Sequence, residues 1–351
     1  MTDMTGEGGA AGRRAMGKAA RRGGTAALAL ALAAAAVPAA AEPRAPLNVV
    51  ADIAPVQSLA AMGREGAGAP ALIVTPGASP HGYALRPSQA GALQDAEIVF
   101  QVGAGLAPWL STALEGLAGG ARVITLAEAP GVRHLAVRED AMFGDGPGET
   151  HGHDEDGGEA DGAAEGHDDD HGHGHAHAAG MDDPHLWLNP DNALAWIEAI
   201  EAALSEADPG RAELYDANAD RARARIAAAA ETAEARLAGV HGRPYAVFHD
   251  AYAHFERRFD MPALGAVSLG DGARPGARHL AALRDRLVAA GAVCVFSEPQ
   301  FPPRLVNALT EGTGIRHAEL DPLGAALTPG ASLYPALIEG MAAAMADCLG
   351  G

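Results

Sequence analysis

Residues 208–239 read DPGRAELYDANADRARARIAAAAETAEARLAG, and the architecture turns on what this stretch does. Asp208 suits a helix N-cap, Pro209 fits the first turn, where its missing N–H costs nothing, and Gly239 suits the stop. Positions 209–238 are thirty residues, rich in Ala, Arg and Glu, with one glycine, Gly210, close to the start. As a continuous helix they span about 45 Å. A helix this long with so little flexible chain is a strut, not a hinge.

Working outward, each side of the strut alternates short apolar runs with helical patterns. On the N-terminal side strands are expected at 47–53, 71–75, 97–102 and 122–126, with helices at 56–65, 88–95 and 108–117. Beyond it strands are expected at 245–248, 263–268, 292–296 and 315–320, with helices at 251–259, 278–290, 303–312 and 333–349. Short continuous apolar runs between helices suit strands buried on both faces of a parallel sheet. The fold class is therefore α/β, with two (β/α)-type lobes, 42–207 and 240–351, joined by a long rigid backbone helix, 208–239.

Composition agrees with two lobes. The 351 residues are 48% hydrophobic but only 4% aromatic, because alanine supplies much of the apolar content. Mean hydropathy near zero excludes a polytopic membrane protein. A formal charge of −20 argues against nucleic-acid binding, which needs clustered Lys and Arg. Arg13, Arg14, Lys18, Arg21 and Arg22 precede an apolar stretch, 25–41, that closes on small residues. This is an export leader with cleavage expected after Ala41, and it is too short and alanine-rich for a membrane anchor. Without 1–41 the chain keeps 20 basic and 43 acidic residues, a net −23. In an oxidising compartment the even pair Cys294 and Cys348 is a disulfide candidate, with a buried free Cys294 as the alternative.

Residues 139–183 interrupt the first lobe. They hold fifteen Asp or Glu, no Lys or Arg, and seven histidines: His151, His153, His167, His171, His173, His175 and His177. So few apolar residues cannot offset the entropy of ordering, and the segment is expected to be disordered. In flexible chain its imidazoles can wrap a metal only at that same entropic cost, so auxiliary, weaker and pH-sensitive sites are expected there.

Of the histidines outside the insertion, three share a position. His81 lies in the loop after the 71–75 strand, His185 in Asp183-Pro184-His185-Leu186-Trp187-Leu188, and His249 directly after the 245–248 strand. Carboxyl ends of parallel strands are where α/β folds put ligands, and a crevice between two lobes collects them. Three imidazoles there suit a borderline metal such as zinc. His134, His241, His279 and His317 are read as structural, and His254, five residues beyond His249, falls on another helix face.

His81 with Tyr83-Ala84-Leu85-Arg86-Pro87-Ser88, then Asp183-Pro184-His185-Leu186-Trp187-Leu188, Phe248-His249-Asp250-Ala251-Tyr252, Ser297-Glu298-Pro299-Gln300-Phe301 and Leu320-Asp321-Pro322-Leu323-Gly324 occur in that order. In these motifs, and in Gly103-Ala104-Gly105-Leu106 with Trp109-Leu110, the chain resembles the periplasmic zinc-binding proteins of ABC importers. The resemblance spans the whole chain after the leader, including the acidic His-rich insertion and the cysteine pair. It implies Zn2+ as the transported ligand, a metal site in the cleft between lobes, and His81, His185 and His249 as its ligands. Manganese-binding relatives carry a carboxylate at the third position, so His249 favours zinc. Some zinc members place an acidic residue just before the first histidine, where this chain has Pro80, which leaves Asp321 or water as the fourth ligand. Glu298 is either a support behind a ligand or purely structural. The implied partners are an ABC-transporter membrane permease with its cytoplasmic ATPase, and a periplasmic zinc chaperone. The receptor itself is expected to be a periplasmic monomer and not an enzyme.

Readings from other classes remain. Three protein ligands plus water is also the zinc hydrolase arrangement, although the sequence has no His-Glu-x-x-His and no Gly-x-Ser-x-Gly. A manganese or iron receptor of the same architecture is the other alternative.

Overall fold

The computed structural model describes residues 45–138, 140–143, 182–268, 270 and 275–351. The expected leader, 1–41, and the seven histidines from His151 to His177 lie outside the described residues. Residues 45–351 form one compact unit.

Two four-stranded parallel sheets organise it. The first, in the order β2-β1-β3-β4, uses β1 (Val49–Ala51), β2 (Ala71–Leu72), β3 (Ile98–Gln101) and β4 (Arg122–Thr125). The second, in the order β6-β5-β7-β8, uses β5 (Tyr245–His249), β6 (Ala266–Ser268), β7 (Cys294–Ser297) and β8 (Arg316–Glu319). The helices are α1 (Ala54–Gly63), α2 (Pro87–Gln94), α3 (Pro108–Leu117), α4 (Pro190–Ala207), α5 (Ala212–Leu237), α6 (Ala253–Phe259), α7 (Ala277–Ala289), α8 (Arg304–Thr310) and α9 (Leu333–Gly350).

Strand periodicity divides the core. Val49 and Ala51, Ile98 and Phe100, Tyr245 and Val247, and Cys294 and Phe296 face one continuous interior that also takes side chains from α1, α4, α5 and α9. The alternate residues Val50 and Val99 face α2 and α3. Ala246 and Val295 face α7 and α8. The two sheets thus share their inner core and are covered separately on the outside.

The strut has its own correction. Positions 209–238 do not form one α-helix: Pro209–Arg211 is a 3-10 turn, and α5 covers 26 residues, about 39 Å. Asp208 makes no side-chain cap. Its carboxylate is taken instead by the Arg211 guanidinium and by the Tyr215 hydroxyl, which donates at 3.0 Å. A tertiary pair has won over the local cap. Helix α5 also packs against α1, α4 and α9, burying Tyr215, Ala219, Ala222, Ile226, Ala229, Ala233 and Leu237. Its stiffness comes from being inside the core.

Helix α4 was not anticipated, although its signals are plain. The Asn189 side chain accepts from Asp191 N at 2.9 Å, Pro190 takes the first helical position and Asp191 places charge at the dipole's positive end.

The boundaries of the insertion also move. Residues 140–143 and 182–183, expected to be disordered with the rest of 139–183, belong to the folded unit. Met142 bridges Gly265 antiparallel beside β6, and Ala136 bridges Asp182. Ala266 N donates to Ala141 O at 2.9 Å, and Phe143 N to Leu264 O at 3.2 Å. Composition taken over the whole acidic stretch missed the short apolar run Ala141-Met142-Phe143, whose Ala141 and Phe143 are buried.

Cys294 and Cys348 are disulfide-bonded, Cα–Cα 6.1 Å, tying α9 to the inner face of β7. Among the described residues no helix is long and apolar enough to cross a membrane.

Candidate metal centre

Each of the three histidines is placed by a different device. His249 is the last residue of β5 and is 4% exposed. His185 precedes a 3-10 turn, Leu186–Leu188, and is 3% exposed. His81 sits in the loop between β2 and α2, half-buried. That loop is held by Trp109, whose Nε1 donates to Pro80 O at 2.7 Å, and by Gln89, whose Nε2 donates to Ile73 O at 2.6 Å and to the Tyr83 hydroxyl at 2.8 Å.

The structure brings all three imidazoles together, with one ligand atom from each within 4.8 Å of the other two. Ring centroids are 5.3 Å apart for His81–His185 and His185–His249, and 6.3 Å for His81–His249. The Nε2 atoms of His81 and His185 face each other at 3.2 Å. Two imidazoles on a tetrahedral zinc at bond lengths of about 2.0–2.1 Å have nitrogens about 3.3 Å apart. The pair has metal-ligand spacing.

Two buried carboxylates fix the rings. His249 Nδ1 lies 2.6 Å from Glu298 Oε1, and His185 Nδ1 lies 2.6 Å from Asp183 Oδ1. A carboxylate accepting from Nδ1–H leaves Nε2 with its lone pair, the atom a metal needs, and raises its basicity. Asp183 also accepts from His185 N at 2.9 Å. Burial pushes the Asp183 carboxyl up from the ordinary range, opposed by nearby His254 and by the hydrogen bond from His185 N. Glu298 therefore stands behind a ring of the trio. The role of Asp183 was missed, although the Asp-Pro-His spacing was its signal.

The other histidines have their own partners. His254 Nε2 is 3.3 Å from Asp183 O, and burial lowers its pKa. His134 pairs with Asp182 at 3.0 Å, His241 with Phe259 O at 3.2 Å, His279 with Ala266 O at 3.1 Å and His317 with Ser297 Oγ at 2.8 Å. Asp321 is outside the 4.8 Å group. Its carboxylate accepts from Leu323 N at 3.1 Å, Gly324 N at 2.9 Å and Ala326 N at 3.4 Å, holding the turn after β8.

A recess lined by the trio is otherwise mostly apolar, with Trp187, Phe301, Pro322 and Leu323 in its wall. Trp187 donates through Nε1 to Pro322 O at 2.7 Å, joining segments from either side of α5. Clustered neutral imidazoles in such a wall can coordinate a cation.

Comparisons with known proteins bear on the family and the fold. The family model described as "Zinc-uptake complex component A periplasmic" matches residues 49–348. A high-affinity zinc uptake system protein ZnuA of Paracoccus denitrificans (strain Pd 1222) is 44% identical, over 92% of this chain and 97% of its own length. The protein of that name from Brucella abortus (strain 2308) is 40% identical, over 86% and 91%. Among solved structures, a crystal structure of ZnuA aligns with a TM-score of 0.67 at 22% identity, covering 86% of this chain and 98% of that one. The manganese complex of the binding protein FpvC from Pseudomonas aeruginosa aligns at 0.69 with 19% identity, covering 87% and 99%. At these identities the structural likeness speaks for the fold, and the sequence matches speak for the family: the chain belongs to the periplasmic component A family of zinc-uptake complexes.

Proposed function

We propose that this chain captures Zn2+ through Nε2 of His81, His185 and His249 and hands it to an ABC-transporter membrane permease with its cytoplasmic ATPase. The observation that carries the reading is the pair of carboxylates, Glu298 and Asp183, holding Nδ1 of His249 and His185 beside a cluster whose ligand atoms lie within 4.8 Å of one another. Imidazole is a borderline donor that suits zinc, whereas manganese prefers carboxylate and water. Relatives named for high-affinity zinc uptake support the same choice of cargo. Asp321 lies outside the three-imidazole group and its carboxylate already accepts from its own turn, so solvent is the better candidate for the fourth position. The protein works as an exported periplasmic monomer, without catalysis, and takes zinc either freely or from a periplasmic chaperone. The seven histidines from His151 to His177 serve as weaker auxiliary sites.

Chelator-competition titration of the protein lacking its leader tests this. One tight zinc site is expected, removed by His249→Ala and retained when only 144–181 is deleted, so that the described residues flanking the deletion keep Asp183 behind His185. Parent-like zinc affinity in His249→Ala would show the site to be misassigned. Zinc-dependent turnover of activated esters would revive the hydrolase reading.

A further inference from the structure

The recess contains one polar group that the capture reading does not use. Gln300 follows β7 in Ser297-Glu298-Pro299-Gln300-Phe301 and lines the same cavity as the three imidazoles. Both Oε1 and Nε2 of its amide are buried and, among the described residues, have no hydrogen-bond partner. A buried polar group left unsatisfied is destabilising, so an orphaned amide in a cargo recess points to a ligand that completes it. The other polar side chains of that wall are engaged. Glu298 holds His249, and Ser79 Oγ accepts from His81 N at 3.2 Å. Asp321, which precedes the lining residue Pro322 and is not itself in the wall, accepts from three backbone N–H groups of its own turn.

Zinc held by three imidazoles keeps one open position for solvent, and a metal-bound water is a strong donor that needs an acceptor. We propose that Gln300 is a positioning and specificity-determining residue, its Oε1 accepting a hydrogen bond from the water that completes the coordination of the bound metal. This rests on the zinc-capture reading. The neutrality of the amide is part of the device: it orients the water without adding a hard, charged oxygen. A carboxylate at this position supplies such an oxygen and moves the donor set toward what manganese prefers.

The test compares the parent with Gln300→Leu and Gln300→Glu, using zinc and manganese affinity by chelator competition, the visible spectrum of the Co2+-loaded protein, and melting of the metal-free protein. Gln300→Leu is expected to weaken zinc binding about 10-fold or more, as loss of outer partners of a metal site does, and to shift the cobalt bands. Its metal-free melting temperature should equal or exceed the parent's, because a buried orphan amide has been removed. Gln300→Glu should narrow the preference for zinc over manganese by about 10-fold or more. Parent-like affinity and cobalt bands in Gln300→Leu overturn the proposal, as does weaker binding with unchanged cobalt bands, which marks a purely structural role. If the parent itself fails to bind zinc, the capture reading has failed. If the parent binds normally and the variants match it, only the role of Gln300 has.

Discussion

A metal site of neutral imidazoles depends on which ring nitrogen carries the proton, and single residues decide that here. Glu298, 2% exposed, holds Nδ1 of the buried His249. In Glu298→Gln the amide keeps an acceptor oxygen without the charge that strengthens the hydrogen bond and the basicity of Nε2. Zinc affinity should fall about 10-fold to 100-fold with an unchanged far-UV spectrum, and isothermal competition with a chelator reads the change. Asp52, 1% exposed at the end of β1, shows the same contest between burial and hydrogen bonding. Burial pushes its carboxyl up to about 7, although Val102 N and Ile53 N each donate to it at 2.7 Å. A carboxyl with a raised folded-state pKa gives stability that is complete below the unfolded value, near 3.8, and lost as pH rises through about 7. Its contribution to metal-free stability should therefore decline across that window, by an amount on the order of 4 kcal/mol at full ionisation. Urea melts from pH 4.5 to 8 should show a flatter pH slope in Asp52→Asn than in the parent. Equal slopes would remove Asp52 from the account.

At the scale of elements, α5 is the piece whose sequence and packing must agree. Alanine recurs on its buried face at Ala219, Ala222, Ala229 and Ala233, and a small side chain there lets α4 and α9 approach closely. Alanine also has the highest helix propensity, so the residue type that fits the neighbours stabilises the helix as well. Ala233 is fully buried. Ala233→Leu should overpack that contact and cost about 1–3 kcal/mol, read as a lower denaturation midpoint with an unchanged m-value, whereas substitution at the exposed Glu231 should do nothing measurable. If Ala233→Leu melts with the parent, α5 is not packed as described.

The molecule is tied across its two sheets by more than α5. Arg138, from the segment after β4, pairs with Asp250 and Glu256 of the second half: Arg138 Nε donates to Asp250 Oδ1 at 2.9 Å and Nη1 to Glu256 Oε2 at 2.9 Å. Its guanidinium also lies 3.5 Å from the Phe143 ring centroid. Burial raises the carboxyl pKa values of Asp250 and Glu256, and Arg138 pulls them back down. Arg138→Met would leave two buried carboxylates facing each other without a cation, which costs about 3–5 kcal/mol when one partner of a buried pair is removed. Because Asp250 adjoins His249, the same variant should release zinc faster in stopped-flow chelator chase. Adding Asp250→Asn and Glu256→Gln should recover much of the lost stability, since no unpaired charge then remains. No recovery would mean that packing, not charge, is what Arg138 supplies.

The sequence by itself determined the alternation of strands and helices, the position of the two sheets on either side of 209–238 and the choice of His81, His185 and His249 as a set. Those are local or periodic properties, written in apolar spacing and in Gly and Pro punctuation, and they survive whatever packs against them. The tertiary structure alone decided which partners the polar groups take. Asp208 fits the pattern of a cap but is claimed by Arg211 and Tyr215, and residues 140–143 fall within the acidic stretch yet pair with the edge of a sheet. Glu298 lies 49 residues from the ring it holds. A hydrogen bond is a short-range, directional interaction with several eligible partners of similar strength, so the chain must be folded before the choice among them exists.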